Sequence, residues 1–410
     1  MININSNKKL DLISNKSRDF YKISYHDFYQ KNSKKYQFKS YGLFFFIKNF
    51  FLVLLSLYSI IKIFLFRKKL KANYFIIRNY KNNFIDPRSK FYITESNIKL
   101  RINFVRSENF FDSLKVFFLY PNIVFINSFK YSIIFFSTIK TLNYFYRTIH
   151  KKNLLNYIVL KRIFLILKIK EIHLIDDYRI MPLILTICDE LNITSIGYMH
   201  GNISKHNLIH KHFSFSKFYL WSNYYKIKLT EINHQYENRK KIIINPNIKY
   251  SSVLLNNFKK KKDYSEINLL YVLDEVINIR LQIENFKKII KYKNINLFIK
   301  FRPNSNPNKI LIDFCYNNNI KFYYKEDIYK TCLENKINFL ISSYSTMLIE
   351  ASLMGIYPLM LVKNKNHLSN ELILDKAVIP IFNLDNLDKK IFNLINNESI
   401  LKNIQRRVWQ

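Results

Sequence analysis

The feature that most constrains the fold is a repeated alternation along the chain. Short apolar runs of strand length, each closed by a polar turn, give way to stretches with the apolar spacing of a helix. From about residue 95 the predicted strands are 122–126 (NIVFI), 171–175 (EIHLI), 193–198, 218–221 and 242–244, with a helix over 179–191. After Pro246 and the lysine run 259–262 the series restarts. Its predicted strands are 269–273, 297–301, 320–323, 337–341 and 357–362, and its helices 276–291, 310–316 and 346–354. Strand, helix, strand in repeated order implies a parallel sheet with helices on its faces. A restart implies a second such sheet. The predicted fold class is α/β, with two Rossmann-like domains, an interdomain cleft and an N-terminal apolar and basic segment. The predicted domains are an arm over 1–94, a first domain over 95–250 and a second over 251–410. A length of 410 residues suits that division.

Composition adds a bias and a charge. Tyr and Phe number 30 and 36, Asn, Ile and Lys crowd the sequence, and there are only 4 Gly. AT-rich codons favour those residues, so single Asn or Lys positions say little about local structure. The 66 basic against 29 acidic residues give a formal charge of +37, which attracts anionic partners. The lysines are spread along the chain and most aromatics lie in apolar runs, so no stacking face for nucleic acid is expected. The three cysteines, Cys188, Cys315 and Cys332, are far apart, contain no CxxC pair and suggest a reducing compartment. The first forty residues are polar and show no signal-peptide core. The expected location is the cytoplasm, peripheral to the inner face of the cell membrane.

That expectation rests on residues 43–66, the most apolar stretch, broken only by Lys48 and Lys62 and followed by Arg67, Lys68 and Lys69. The uncharged run between the two lysines is shorter than the roughly 20 residues a spanning helix needs. An apolar helix with a basic flank fits the membrane interface. A spanning helix with snorkelling lysines and a buried core helix are the alternatives.

Three polar clusters follow predicted strands, where open α/β sheets bind ligands. The first is Gly197-Tyr198-Met199-His200-Gly201-Asn202. His200 there can act as a general base or hold a phosphate oxygen; the plain alternative is a loop histidine bonded to nearby backbone. His206, His210 and His212 follow, but no carboxylate or cysteine completes a metal-ligand set, so no metal is expected. The second cluster is Ser342-Ser343-Tyr344-Ser345-Thr346, with Glu350 and Gly355 beyond it. Hydroxyls and the amides of a helix start make a phosphate cradle, and Glu350 one turn on can hold a ribose diol. The alternative is simple capping by Ser345 with Glu350 on the surface. The third is Lys300-Phe301-Arg302-Pro303-Asn304, where Arg302 can neutralise a diphosphate or be an ordinary surface charge. Asp176 and Asp177 after EIHLI are candidate bases or helix caps. Asp274 and Glu275 carry the same ambiguity.

These clusters resemble those of bacterial glycosyltransferases of the GT-B fold, in particular proteins of capsule and surface-polysaccharide synthesis. ITSIGYMHGNISKHN is similar to their strand and Gln-His-Gly-like turn, and ISSYSTMLIEASLMGIYPLML to their donor-binding segment. KFRPN stands where related families carry Lys-x-His-Pro, with Arg302 in place of the histidine. The likeness covers roughly residues 170–365. It implies a nucleotide-sugar donor bound by the second domain, a glycan or lipid-linked acceptor bound by the first, the inner-membrane surface as a partner, and neither a cofactor nor a catalytic metal. The expected reaction is displacement at the anomeric carbon. His200, or else Asp176 or Asp177, takes the acceptor proton. Arg302, Ser342, Ser343, Ser345, Thr346 and Gly201 surround the diphosphate, and Glu350 holds the ribose. The rival readings are a polyol-phosphate transferase of the teichoic-acid type, a sugar-nucleotide 2-epimerase, and a non-enzymatic basic protein of membranes or nucleic acid.

If residues 43–66 bind membranes, deleting them is expected to remove most co-sedimentation of the protein with anionic vesicles. Unchanged co-sedimentation would assign the segment to a core or the binding to another part of the chain.

Overall fold

The computed structural model describes residues 74–78, 100–104, 123–125, 161–162, 164–166, 168–176, 181–204, 210–211, 213–238, 241–245, 264–273, 278–302, 307–343, 345–362 and 367–410. The predicted membrane helix at 43–66 lies outside them, as do Asp177, His206, His212, Asp274, Glu275, Pro303, Asn304 and Tyr344. Among the described residues, no helix is long and apolar enough to cross a membrane.

The chain divides into two compact units. One comprises Met1–His200, Asn207–Leu220 and Leu229–Ile243, the other Gly201–His206, Trp221–Lys228 and Ile244–Gln410. In the first unit seven described strands form one sheet: β1 (Tyr74–Arg78), β2 (Leu100–Phe104), β3 (Ile123–Phe125), β4 (Glu171–Ile175), β5 (Thr194–Tyr198), β6 (Lys217–Leu220) and β7 (Lys241–Ile244). Their spatial order is β3-β2-β1-β4-β5-β6-β7, and the five pairs from β3 to β6 run parallel. The second unit holds a six-stranded sheet of β8 (Ile267–Val272), β9 (Ile295–Lys300), β10 (Lys321–Tyr323), β11 (Phe339–Ser342), β12 (Tyr357–Leu361) and β13 (Ile379–Ile381), in the order β10-β9-β8-β11-β12-β13. All five of its pairs are parallel. Both orders are doubly wound: the chain builds outward one way, returns to the middle and builds outward the other way. The α/β class with two Rossmann-like sheets therefore holds.

Burial explains why these strands stand out in a biased composition. A parallel strand covered on both faces is apolar along its whole length. β11 (FLIS) and β12 (YPLML) are buried at every position, and β8 (INLLYV) at all but its first. The edge strands β7 (KIII) and β10 (KFY) contain no buried residue. One central strand departs from the expected division. β1 lies inside 1–94, read from sequence as an arm, yet it sits between β2 and β4. Its five residues YFIIR are set among Asn and Lys, which hid the run.

The helices use the abundant asparagine as caps. Asn278 Oδ1 accepts the Leu281 amide at 3.2 Å at the start of the helix Ile279–Ile289, and Asn308 Oδ1 accepts the Ile310 amide at 2.9 Å at the start of Lys309–Asn317. Two helices not foreseen from sequence close the chain, Leu387–Ile395 and Ser399–Trp409. The second buries Leu401, Ile404 and Val408 and clasps the helix Met347–Leu353: Gln405 Nε2 donates to the Ser352 carbonyl at 2.8 Å, and Trp409 Nε1 to Ser352 Oγ at 2.9 Å. Gly355, at φ 70°, turns the chain from Met347–Leu353 into β12.

Gly197 in β5 has a packing reason. A Cβ there would stand 2.4 Å from Cδ2 of Phe215, whose ring is wholly buried beside Phe218. The close neighbour at this glycine is an aromatic ring of its own unit. Gly197→Ala is expected to cost about 1–3 kcal/mol through overpacking and to lower the melting temperature. Gly197→Ala combined with Phe215→Leu should recover part of the loss; a fully additive double variant in thermal denaturation would show that the two residues do not conflict.

Candidate functional site

In the second sheet the winding reverses between β8 and β11, and the C-terminal ends of those strands flank the place where doubly wound sheets bind ligands. β11 ends on Ser342, which is fully buried. Ser343 follows, and its Oγ is buried with no hydrogen-bond partner among the described residues. Ser345 Oγ accepts the Met347 amide at 3.2 Å, so the capping role read as the alternative is present. Thr346 is exposed at the head of the helix Met347–Leu353. With seven residues that helix has little macrodipole, so an anion here would be held by hydroxyls and turn amides.

Glu350 is not a surface residue. It is 1% exposed, and the hydroxyl of Tyr329 donates to its Oε2. Tyr329 lies in the helix Ile328–Glu334, capped by Asp327. Tyr225, in the helix Asn223–Ile232, is also wholly buried; burial first and the Glu350 charge second push its phenol well above the usual range. The Tyr225 hydroxyl has no hydrogen-bond partner among the described residues, and neither has Asn202 Oδ1. Gly201 belongs to this second unit, and a Cβ on it would stand 3.5 Å from the Thr346 methyl. Gly201 and the head of the Glu350 helix, both in the second unit, are thus neighbours, though well separated in sequence. A buried carboxylate, with buried Tyr225 and Asn202 oxygens that lack partners among the described residues, is the kind of polar grouping that ligands complete.

Arg302 stands exposed just past β9, two strands from β11 at the same end of the sheet. Lys300, at the end of β9, is buried and donates Nζ to the Tyr324 carbonyl at 2.9 Å; desolvation lowers its pKa from the usual lysine value. It ties the C-terminal edge of the sheet together, whereas Arg302 is exposed. A cavity of about 600 Å³ opens at the opposite end of this sheet, lined in part by Asn268, Asn296, Tyr292 and Asn335. Its deeper amides are spent on one another: Asn296 Nδ2 donates to Asn268 Oδ1 at 2.9 Å, and the Asn268 amide to Asn338 Oδ1 at 2.6 Å. It lies at the N-terminal strand ends, away from the serines and Glu350.

In the first sheet the reversal falls between β1 and β4, and Asp176 is the residue that follows β4. Its carboxylate is 7% exposed and has both oxygens engaged. Oδ1 accepts the His200 amide at 2.8 Å, and Oδ2 lies 3.2 Å from Nε2 of the buried His210. The His210 ring stacks on Phe218. Asp176 therefore shapes the turn that carries His200, whose side chain is half-buried. Sequence spacing gave no sign that His210 would meet Asp176, because the contact is made through the fold. A second buried histidine, His173, bonds Glu171 at 2.7 Å and the Tyr198 hydroxyl at 2.8 Å; burial lowers its pKa from the usual histidine value. Among the described residues no three His, Cys, Asp or Glu side chains gather as a metal-ligand set. The three cysteines are free, buried thiols, and burial pushes that of Cys315 up to about 11.

No protein-family model matches the chain, and no curated protein matches it. Solved structures do. A UDP-GlcNAc 2-epimerase from Neisseria meningitidis bound to UDP-GlcNAc is 12% identical, with a TM-score of 0.49 over 81% of this chain and 93% of that one. MnaA of S. aureus, solved with UDP, is 10% identical, with a TM-score of 0.48 over 83% and 92%. MurG of Acinetobacter baumannii is 9% identical, with a TM-score of 0.47 over 83% and 95%. Likenesses of this degree do not assign a reaction, a substrate or a site to this chain.

Removing the Asp176 carboxylate leaves the His200 amide without its acceptor and takes away the oxygen 3.2 Å from His210 Nε2. Asp176→Ala is expected to cost about 1–3 kcal/mol of stability, and Asp176→Asn, which keeps one acceptor oxygen, distinctly less. Equal losses in chemical denaturation would mean that the bond to the His200 amide is not what Asp176 supplies.

Proposed function

We propose that the chain is a glycosyltransferase that moves a sugar from a nucleotide-sugar donor to a surface polysaccharide or lipid-linked acceptor at the inner face of the membrane. The observation that supports it most is the buried carboxylate of Glu350, in the helix that follows a Ser343 hydroxyl buried with no hydrogen-bond partner among the described residues, at the reversal point of the second sheet. Burying a carboxylate is costly, and a ligand hydroxyl pair is a reason to keep it. In this reading the second unit binds the donor. Glu350 accepts from the ribose diol, while Ser342, Ser343, Ser345 and Thr346, with Gly201 allowing close approach, surround the diphosphate. Arg302 offsets the charge that develops on the leaving nucleoside diphosphate. The first unit binds the acceptor, and His200 removes the proton from its attacking hydroxyl. Oxygen then bonds the anomeric carbon as the bond to the diphosphate breaks. Asp176 holds the turn that presents His200. The basic surface and residues 43–66 suit an acceptor at a membrane.

Calorimetry with UDP, CDP and GDP, together with turnover followed as nucleoside diphosphate release, tests the assignment. Glu350→Ala is expected to weaken nucleotide binding about ten- to a hundredfold. His200→Ala should leave binding nearly intact and slow turnover about a hundred- to ten-thousandfold. Equal small effects from both variants would reduce the two clusters to ordinary turns. Interconversion of sugar epimers without any acceptor would replace transfer by epimerisation.

A further inference from the structure

The cavity of about 600 Å³ at the N-terminal ends of β8, β9 and β10 has no part in the proposed transfer, and its wall has a chemistry of its own. An amide ladder crosses the sheet beside it. Asn338 Oδ1 accepts the Asn268 amide at 2.6 Å, and Asn268 Oδ1 accepts Asn296 Nδ2 at 2.9 Å; Asn268 and Asn296 are register partners on β8 and β9. Asn296 is exposed on the wall with its Nδ2 spent, so the ladder sets the direction of its Oδ1. Asn318, just past the helix Lys309–Asn317, repeats the arrangement: its Nδ2 donates to the Phe314 carbonyl at 2.9 Å. Among the described residues neither Oδ1 accepts a hydrogen bond. Tyr292 adds a half-buried ring to the wall, anchored by its hydroxyl, which donates to the Leu384 carbonyl at 2.8 Å.

Charge narrows the class of ligand. The chain has 66 basic residues against 29 acidic, whereas this wall sets Lys293, Lys321 and Lys336 against Glu266 and Glu334. The helices Ile279–Ile289 and Lys309–Asn317 also end here, and their last carbonyls bring partial negative charge to the lysines. A wall so close to neutral does not concentrate phosphates, and one of amides and charged side chains does not suit an apolar ligand. Fixed amide acceptors, lysine donors and an aromatic face suit a molecule whose hydroxyls donate and accept and whose C–H face is apolar, and a sugar ring is such a molecule. The volume falls within the roughly 300–1,000 Å³ of small-molecule sites.

We propose that this cavity is a separate binding site for a short neutral oligosaccharide, at the end of the second sheet opposite Ser343. It rests on neither Glu350 nor His200, so its failure leaves the proposed transfer untouched. In a transferase of surface polysaccharide it tethers the polymer at a point remote from the donor.

The test is a microarray of neutral and phosphorylated oligosaccharides probed with the full chain at high salt, which screens the charge of +37. Calorimetry with the best-bound neutral member follows. Saturating UDP should not displace that glycan. Tyr292→Ala, which removes the ring, should weaken binding on the order of tenfold, and Tyr292→Phe, which keeps it, only a few-fold. Asn318→Trp places a large side chain in the cavity from an exposed position and should abolish binding; it carries the test if Tyr292→Ala does not fold. Four results overturn the proposal: no neutral member binds, UDP displaces the glycan, Asn318→Trp leaves binding unchanged, or the binding that Asn318→Trp removes is confined to phosphorylated members.

Discussion

The pairing of β8 with β11 fixes where the second unit can bind anything. Phe339 lies against Leu269 and Ile341 against Tyr271, in the middle of a parallel sheet. Those apolar strands need cover on both faces, and helices supply it, so binding falls to the strand ends, and the winding reverses above the C-termini of β8 and β11. β8 and β11 are not consecutive in the chain. The connections leave their shared C-terminal edge in opposite directions and hold it open. Ser342 and Ser343 stand on that edge because β11 ends there, and Glu350 is one turn into the next helix because the chain must climb back over the sheet.

Around this frame the buried charges are satisfied in different ways. Asp176 spends both oxygens within its own unit, and Lys300 bonds a carbonyl at its own sheet edge. Each stiffens a turn by satisfying a cost that burial imposes. Glu350 is tied to a phenol at Oε2 and lies near Tyr225, whose hydroxyl has no hydrogen-bond partner among the described residues. Closed networks hold a fold in shape.

What could be read along the chain was whatever lies contiguously in it. The predicted strand at 171–175 matches β4 to the residue, and the strands flanking Ser342–Glu350 emerge within two residues, because two-sided burial forces an apolar run that Asn and Lys cannot break. The helix Leu387–Ile395 shows the opposite case: its one-sided face buries only Leu387, Ile391 and Leu394, and the residues between are polar apart from the exposed Phe392. The candidate site divides along the same line. Ser342 to Glu350 fit in one short span and were legible. Tyr329, Tyr225 and His210 join the site or its supports only through tertiary contact, and in a chain with 30 tyrosines no one-dimensional pattern marks the two that surround Glu350.

The clasp of Gln405 and Trp409 on Ser352 has a consequence for biosynthesis. The short helix bearing Glu350 carries Ser352 on its last turn, and its outer support is the helix Ser399–Trp409. A chain leaving the ribosome exposes β8 to β12 well before those residues emerge. Until Trp409 is free to dock, the helix bearing Glu350 has its sheet beneath it but lacks the clasp on Ser352. Nascent chains held short of that point would therefore carry β8 to β12 with the Glu350 helix unlatched, until Ser399–Trp409 docks on it.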